Sequence, residues 1–215
     1  MPHIHLADGT VHYLDAHSAD LNTYNIETLA HHLALINRFT GATYRPYSVA
    51  EHSLLCADIA AARGLPVVAQ LACLMHDAHE AITGDASTPV KWALGEPWER
   101  FEGPHARALR AHFGLRTVFS GYGRDIKLVD YIALATERRD LLGFDPERHA
   151  PWPQLDTPGQ IVEPAAGSLN DYRRVGAAWS HWKSLFCHRF HDLRAQIQAA
   201  DAQFIVAATG ESRAA

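Results

Sequence analysis

The uncharged run Gly64–Met75 ends abruptly on His76-Asp77-Ala78-His79-Glu80, and this junction limits what the chain can fold into more than any other segment. A buried charge costs several kcal/mol unless it is paired or bound to a metal. An apolar segment that runs directly into two imidazoles and two carboxylates therefore needs something to neutralise them, or must end at the surface. If the helical pattern continued, His76 and Glu80 would share a face and Asp77 would lie about 100° around it. A cation held by His76 and Asp77 would then have a carboxylate one turn later, placed to orient a bound water. The run is too short to span a bilayer, which takes about 20 residues.

Two more polar residues interrupt apolar faces. His52 shares a helical face with Val49, Cys56 and Ile59. Read alone it is a core histidine with one hydrogen bond. Asp130 sits in Leu128-Val129-Asp130-Tyr131-Ile132, so it is either salt-bridged, with Arg138 or Arg139 as partner, or a ligand. Together these positions give His…His-Asp…Asp on separate helices. Two imidazoles and two carboxylates suit one divalent transition metal (Mn, Co, Zn, Fe or Ni) and suit Mg or Ca poorly. The zincin spacings, a Walker A loop and a GxGxxG turn are absent.

The surrounding pattern is helical. Asp8-Gly9 between alternating stretches predicts an N-terminal hairpin over residues 3–14. Ile26, Leu29, Leu33 and Ile36 predict a helix within Asn25–Phe39, and Ser48-Val49-Ala50-Glu51 reads as a capping box opening a helix to about Arg63. Another helix is expected from Pro66, with more near 97–113 and 125–142. Five prolines fall in 143–167, a candidate flap inserted before a C-terminal helix of about 168–201. That helix carries Val175, Trp179, Trp182, Phe186, Phe190 and Leu193, a stripe for core or subunit interface. The expectation is one all-α domain over 1–215, its core about 15–142, with a small β-hairpin and a homo-oligomeric state.

Composition narrows the function classes. A net charge of −5 without a basic block argues against nucleic-acid binding. Cys56, Cys73 and Cys187 are odd in number and widely spaced, which fits a reducing, cytoplasmic compartment. The N-terminal residues have neither the basic nor the apolar segment of a signal peptide, and no membrane association is expected. Histidine is plentiful, at 15 against 19 Lys plus Arg. His31-His32 reads as a surface pair, while His188, His191 and Asp192 are a weak surface metal motif. His3, His5 and His12 carry no assignment.

The ordered series resembles the HD-domain metal-dependent phosphohydrolases, in particular the YfbR-like bacterial deoxyribonucleoside 5′-nucleotidases and their phage-type dATP/dNTP triphosphohydrolase relatives. The segments that carry it are Ile36–Thr40, Tyr47–Ser53, Leu74–Asp85 and Thr88–Lys91, with Asp130 where the last ligand belongs, and the likeness covers roughly residues 10–140. It implies a helical bundle with the metal on His52, His76, Asp77 and Asp130. It also implies that Glu80 positions or activates the attacking water, Arg38 holds the phosphate and Asp85 contacts the sugar. Phe39 stands where the nucleotidases carry Trp near the 2′ position. Lys91 is a candidate for a more distal phosphate. The implied activity is hydrolysis of 2′-deoxyribonucleoside 5′-monophosphates. The alternatives are dNTP triphosphohydrolysis, with Lys91 and Lys127 meeting the outer phosphates, and a nucleotide-binding regulatory module without turnover.

Overall fold

The computed structural model describes residues 1–15 and 21–211. Residues 16–20, at the start of the expected helical core, and 212–215 lie outside the described residues. The architecture is all-α with one two-stranded antiparallel sheet. Strands β1 (His3–His5) and β2 (Val11–Tyr13) pair in the register His3↔Tyr13, Ile4↔His12, His5↔Val11. Gly9 supplies the positive φ of the turn, and Asp8 braces it by accepting from the Thr10 N–H and hydroxyl.

Helices α1 (Ile26–Leu35), α2 (Val49–Ala62) and α3 (Val67–Leu74) come next, followed by α4 (Glu80–Thr83), α5 (Thr88–Leu94), α6 (Glu96–His112) and α7 (Arg116–Gly121). The chain continues through α8 (Gly123–Leu141), α9 (Pro153–Asp156), α10 (Tyr172–Val175) and α11 (Trp179–Glu211). Two apolar clusters form the interior. One joins α1, α2, α3 and α11 through Leu33, Leu54, Leu71 and Phe186; the other joins α2, α3 and α8 through Leu55, Ala60, Cys73 and Val129. Helices α2 and α3 contribute to both clusters, so polar groups near their ends are placed between two apolar masses. Among the described residues no helix is long and apolar enough to cross a membrane.

Several boundaries differ from the sequence pattern for local reasons. Helix α1 stops at Leu35 because Ile36 and Asn37 become extended. The Ile36 carbonyl then accepts from Val49 N–H, and Arg38 N–H donates to the Tyr47 carbonyl. The capping box is half formed. Ser48 Oγ accepts from Glu51 N–H at 3.2 Å, but the Glu51 carboxylate turns away into a buried clasp with Arg45 and Arg174. The C-terminal helix begins at Trp179 rather than 168, after a break at Gly176. Trp182, Phe186, Phe190 and Leu193 are core within this chain, which removes Trp182 as an interface residue. Residues 143–167 are pinned to α8 by Arg138 with Asp156, by Arg139 with the Ala165 carbonyl, and by the buried Leu155.

Candidate metal centre

Helix α2 begins at the Ser48 cap and carries His52 inward on its first full turn, where the ring is fully buried. His52 Nδ1–H donates to Glu137 Oε1 at 2.5 Å, so its Nε2 lone pair faces the interior. Helix α3 ends at Leu74, and the expected continuation through Glu80 is replaced by a turn over residues 75–79. His76 Nδ1–H donates to the Cys73 carbonyl at 2.8 Å, which again turns Nε2 inward. His76 therefore lies in a turn and Glu80 opens α4, so the two do not share one helix face. Asp130 reaches the same point from α8, with Lys127 one turn earlier as its salt-bridge partner at 2.8 Å. Arg138 and Arg139, the partners expected from sequence, pair with Asp156 and Asp140 instead.

The four expected ligands converge. His52 Nε2 lies 3.3 Å from His76 Nε2, 3.4 Å from Asp77 Oδ2 and 3.6 Å from Asp130 Oδ1. His76 Nε2 lies 3.1 Å from Asp77 Oδ2 and 3.7 Å from Asp130 Oδ1. Donors about 2.1 Å from one ion are separated by about 3.0 Å at right angles and about 3.4 Å at tetrahedral angles. The spacing and the donor set thus fit a single divalent ion. The electrostatics agree. Burial alone would push His76 down, yet Asp77 and Asp130 outweigh it and raise the imidazole to about 10. The Cys56 thiol, 3.6 Å from His52 Nε2, forms a group of possible metal donors with His52 and His76, although burial pushes it well above its ordinary range.

Beside the donors lies a tight turn in which Phe39 and Thr40 both adopt positive φ, at 54° and 55°. Non-glycine residues held there cost about 1–3 kcal/mol each, strain that the surroundings must hold in place. The turn buries the Arg38 guanidinium, with Nη2 3.2 Å from Glu137 Oε2 and Nη1 3.6 Å from Asp77 Oδ2, and the Phe39 ring 5.4 Å away. Arg38 Nε has no partner among the described residues. Glu80 is also buried. Its Oε1 lies 3.7 Å from Lys91 Nζ and its Oε2 has no partner among the described residues. Burial, Asp77 and Asp85 push this carboxyl well above its usual range, opposed by Arg38 and Lys91. Asp85 is half-buried, raised by burial and held back by the Arg38 charge.

The structure therefore groups His52, His76, Asp77, Asp130, Arg38 and Glu80, with Phe39 and Asp85 at the edge. Lys91 is already bonded to Glu102 at 2.7 Å, and Glu102 also meets His79 Nε2 at 3.2 Å. His79, Glu80 and Glu102 form a second group of possible metal donors, with the Lys91 ammonium between Glu80 and Glu102. Sequence reasoning missed Glu137, which is fully buried and bonded to both His52 and Arg38. Its signal was a second acid two turns after Asp130, directly following the uncharged stretch Tyr131–Thr136. The other histidines are placed elsewhere. His32 accepts from Ala7 N–H and donates to the Ala81 carbonyl, which clips the hairpin to α4. His188 and Asp192 pair on an exposed face.

No family model matches the chain. It is 35% identical over 168 residues to YfdR, an uncharacterized protein of Escherichia coli K12, and the match covers 78% of this chain and 83% of YfdR. It is 38% identical over 125 residues to an uncharacterized protein of Rhodobacter capsulatus, a match that covers 55% of this chain and 63% of that relative.

Proposed function

We propose that this chain, which belongs to the same family as the Escherichia coli protein YfdR, is a divalent-metal-dependent phosphohydrolase acting on nucleotides, with 2′-deoxyribonucleoside 5′-monophosphates as its substrate class. One observation carries the reading. The Nε2 atoms of His52 and His76 lie 3.1–3.7 Å from each other and from the Asp77 and Asp130 carboxylates, beside a buried arginine and a buried glutamate that each retain a polar atom unpartnered among the described residues. His52, His76, Asp77 and Asp130 would hold one divalent transition metal (Mn, Co, Zn, Fe or Ni). Bound there, such an ion lowers the pKa of water and polarises a phosphoryl oxygen.

The chain's own groups supply the rest. Glu80 Oε2, unpartnered among the described residues, accepts the hydrogen bond of the attacking water and takes its proton. Arg38 offers its Nε–H and an Nη–H to the phosphoryl oxygens, a planar fork that matches their geometry. Glu137 and Asp77 keep that fork from rotating. Phe39 forms an apolar wall where a 2′-hydroxyl would lose its hydrogen bonds, and Asp85 accepts from the sugar. A single phosphate is favoured over three because Lys91 and Lys127 are bonded to Glu102 and Asp130. Three free, buried cysteines are consistent with a cytoplasmic protein.

The test is to strip the protein with chelator, restore Mn or Co, and offer dNMPs, dNTPs and their ribose counterparts. Orthophosphate and tripolyphosphate are scored separately. Orthophosphate from dNMPs is the expected result, whereas tripolyphosphate from a dNTP would replace it with the triphosphohydrolase reading. Nucleotide binding without turnover under every metal would make the protein a regulatory module. Glu80→Gln should lower turnover about 10²–10⁴-fold with metal content retained. Loss of metal in that variant would make Glu80 a ligand instead.

A further inference from the structure

We infer that Glu137 is a positioning residue whose single carboxylate orients both the metal ligand His52 and the phosphate-binding Arg38. The inference rests on the metal-dependent reading above. Glu137 is fully buried, and its two oxygens serve different partners. Oε1 accepts from His52 Nδ1–H at 2.5 Å, and Oε2 accepts from Arg38 Nη2–H at 3.2 Å. It lies on α8 seven residues after Asp130, so one rigid helix carries both a ligand and the group that aims another ligand.

The two contacts have separate consequences. A histidine that donates Nδ1–H to a carboxylate is fixed in the tautomer that presents Nε2, and its Nε2 becomes more basic. An arginine held by one Nη keeps its remaining N–H groups aimed in one direction, and Arg38 Nε is the donor left without a partner among the described residues. A carboxylate can accept on both sides at once, but an amide cannot. In Glu137→Gln the amide oxygen still accepts from His52, while the NH₂ faces the guanidinium donors. Glu137→Ala loses both contacts.

The experiment measures Mn²⁺ affinity of the full chain by chelator competition, and inorganic phosphate affinity of the Mn-loaded protein by calorimetry. Far-UV circular dichroism monitors folding. Glu137→Ala should bind Mn²⁺ about 10–100-fold more weakly. Glu137→Gln should stay within about three-fold of wild type for Mn²⁺ yet bind phosphate about ten-fold more weakly, the loss of one charge-assisted hydrogen bond. That split is what a purely structural role would not produce. If Glu137→Ala fails to fold, the Gln variant decides. Wild-type affinities in the Gln variant, or proportional loss of both, would overturn the inference alone. A wild-type chain that binds no divalent ion would overturn it together with the metal-dependent reading.

Discussion

Replacing Glu51 by Gln separates two accounts of the same residue by their magnitudes. As the fourth position of a capping box, Glu51 would be interchangeable with Gln, since either side chain can reach back to the cap N–H, and the substitution would cost close to nothing. In the structure its carboxylate is fully buried and accepts from Arg45 Nη1 at 2.8 Å, Arg45 Nη2 at 2.7 Å and Arg174 Nη1 at 3.0 Å. Breaking such a buried pair from one side costs about 3–5 kcal/mol. Two features keep the value at the lower end. Arg45 retains the Pro46 and Leu169 carbonyls, and the Arg174 side chain is 25% exposed, so water can solvate it once freed. We expect a loss of about 3–4 kcal/mol. For 215 residues, an unfolding entropy of about 2.1 cal/mol/K per residue converts this to a fall in Tm of about 7–9 °C. Urea denaturation of the metal-free protein followed by circular dichroism reads it directly. A change under about 0.5 kcal/mol would refute the clasp and restore the capping box.

Other expectations are as specific. Asp77→Asn should abolish stoichiometric Mn²⁺ or Co²⁺ binding in equilibrium dialysis, and full occupancy would contradict the four-donor site. Thr40→Gly removes a β-branched residue from a backbone at φ 55°; the relief of about 1–2 kcal/mol, less the entropy of glycine, should raise stability by about 0.5–1 kcal/mol. A loss of stability in that variant would mean that the turn is unstrained. Burial lowers His12 to about 4, helped by the neighbouring His105. The unfolded chain therefore binds the proton more readily than the folded one, and stability present above pH 6.5 declines as pH falls toward 4, by up to about 1.4 kcal/mol per unit. Urea midpoints across that range should show a shallower slope in His12→Gln, and an unchanged slope would remove His12 as the cause.

The elements themselves were legible because local patterns set them. Asp8-Gly9 marked a hairpin, three- and four-residue spacing marked α1, the Ser48 cap marked the start of α2, and the helices expected near 97–113 and 125–142 are α6 and α8, within a few residues of their observed ends. The polar interruptions at His52, His76, Asp77 and Asp130 were legible for a related reason: burial without neutralisation is costly enough that each residue stands out against its own helix. Harder to read were the points where a backbone or a charge answers to a distant segment. Helix α1 ends early because Ile36 and Arg38 pair with the 47–49 backbone. Glu51 leaves its cap for Arg174, 123 positions away.

What the sequence alone determined is the inventory: a helical chain with a short hairpin, and a small set of histidines and acids that an apolar interior would not tolerate unpaired. Tertiary structure decided their arrangement. It turned the chain at residues 75–79 so that His76 and Asp77 face His52, and it strained the 38–41 turn to bury Arg38. It also chose Lys127 over two arginines for Asp130, and placed Glu137 between a histidine and a guanidinium. Periodicity reports which face of an element is apolar, a property of neighbours along the chain. Which charge meets which is set by the packing of α2, α3 and α8 around their shared cluster, and their relative placement is written in no local segment.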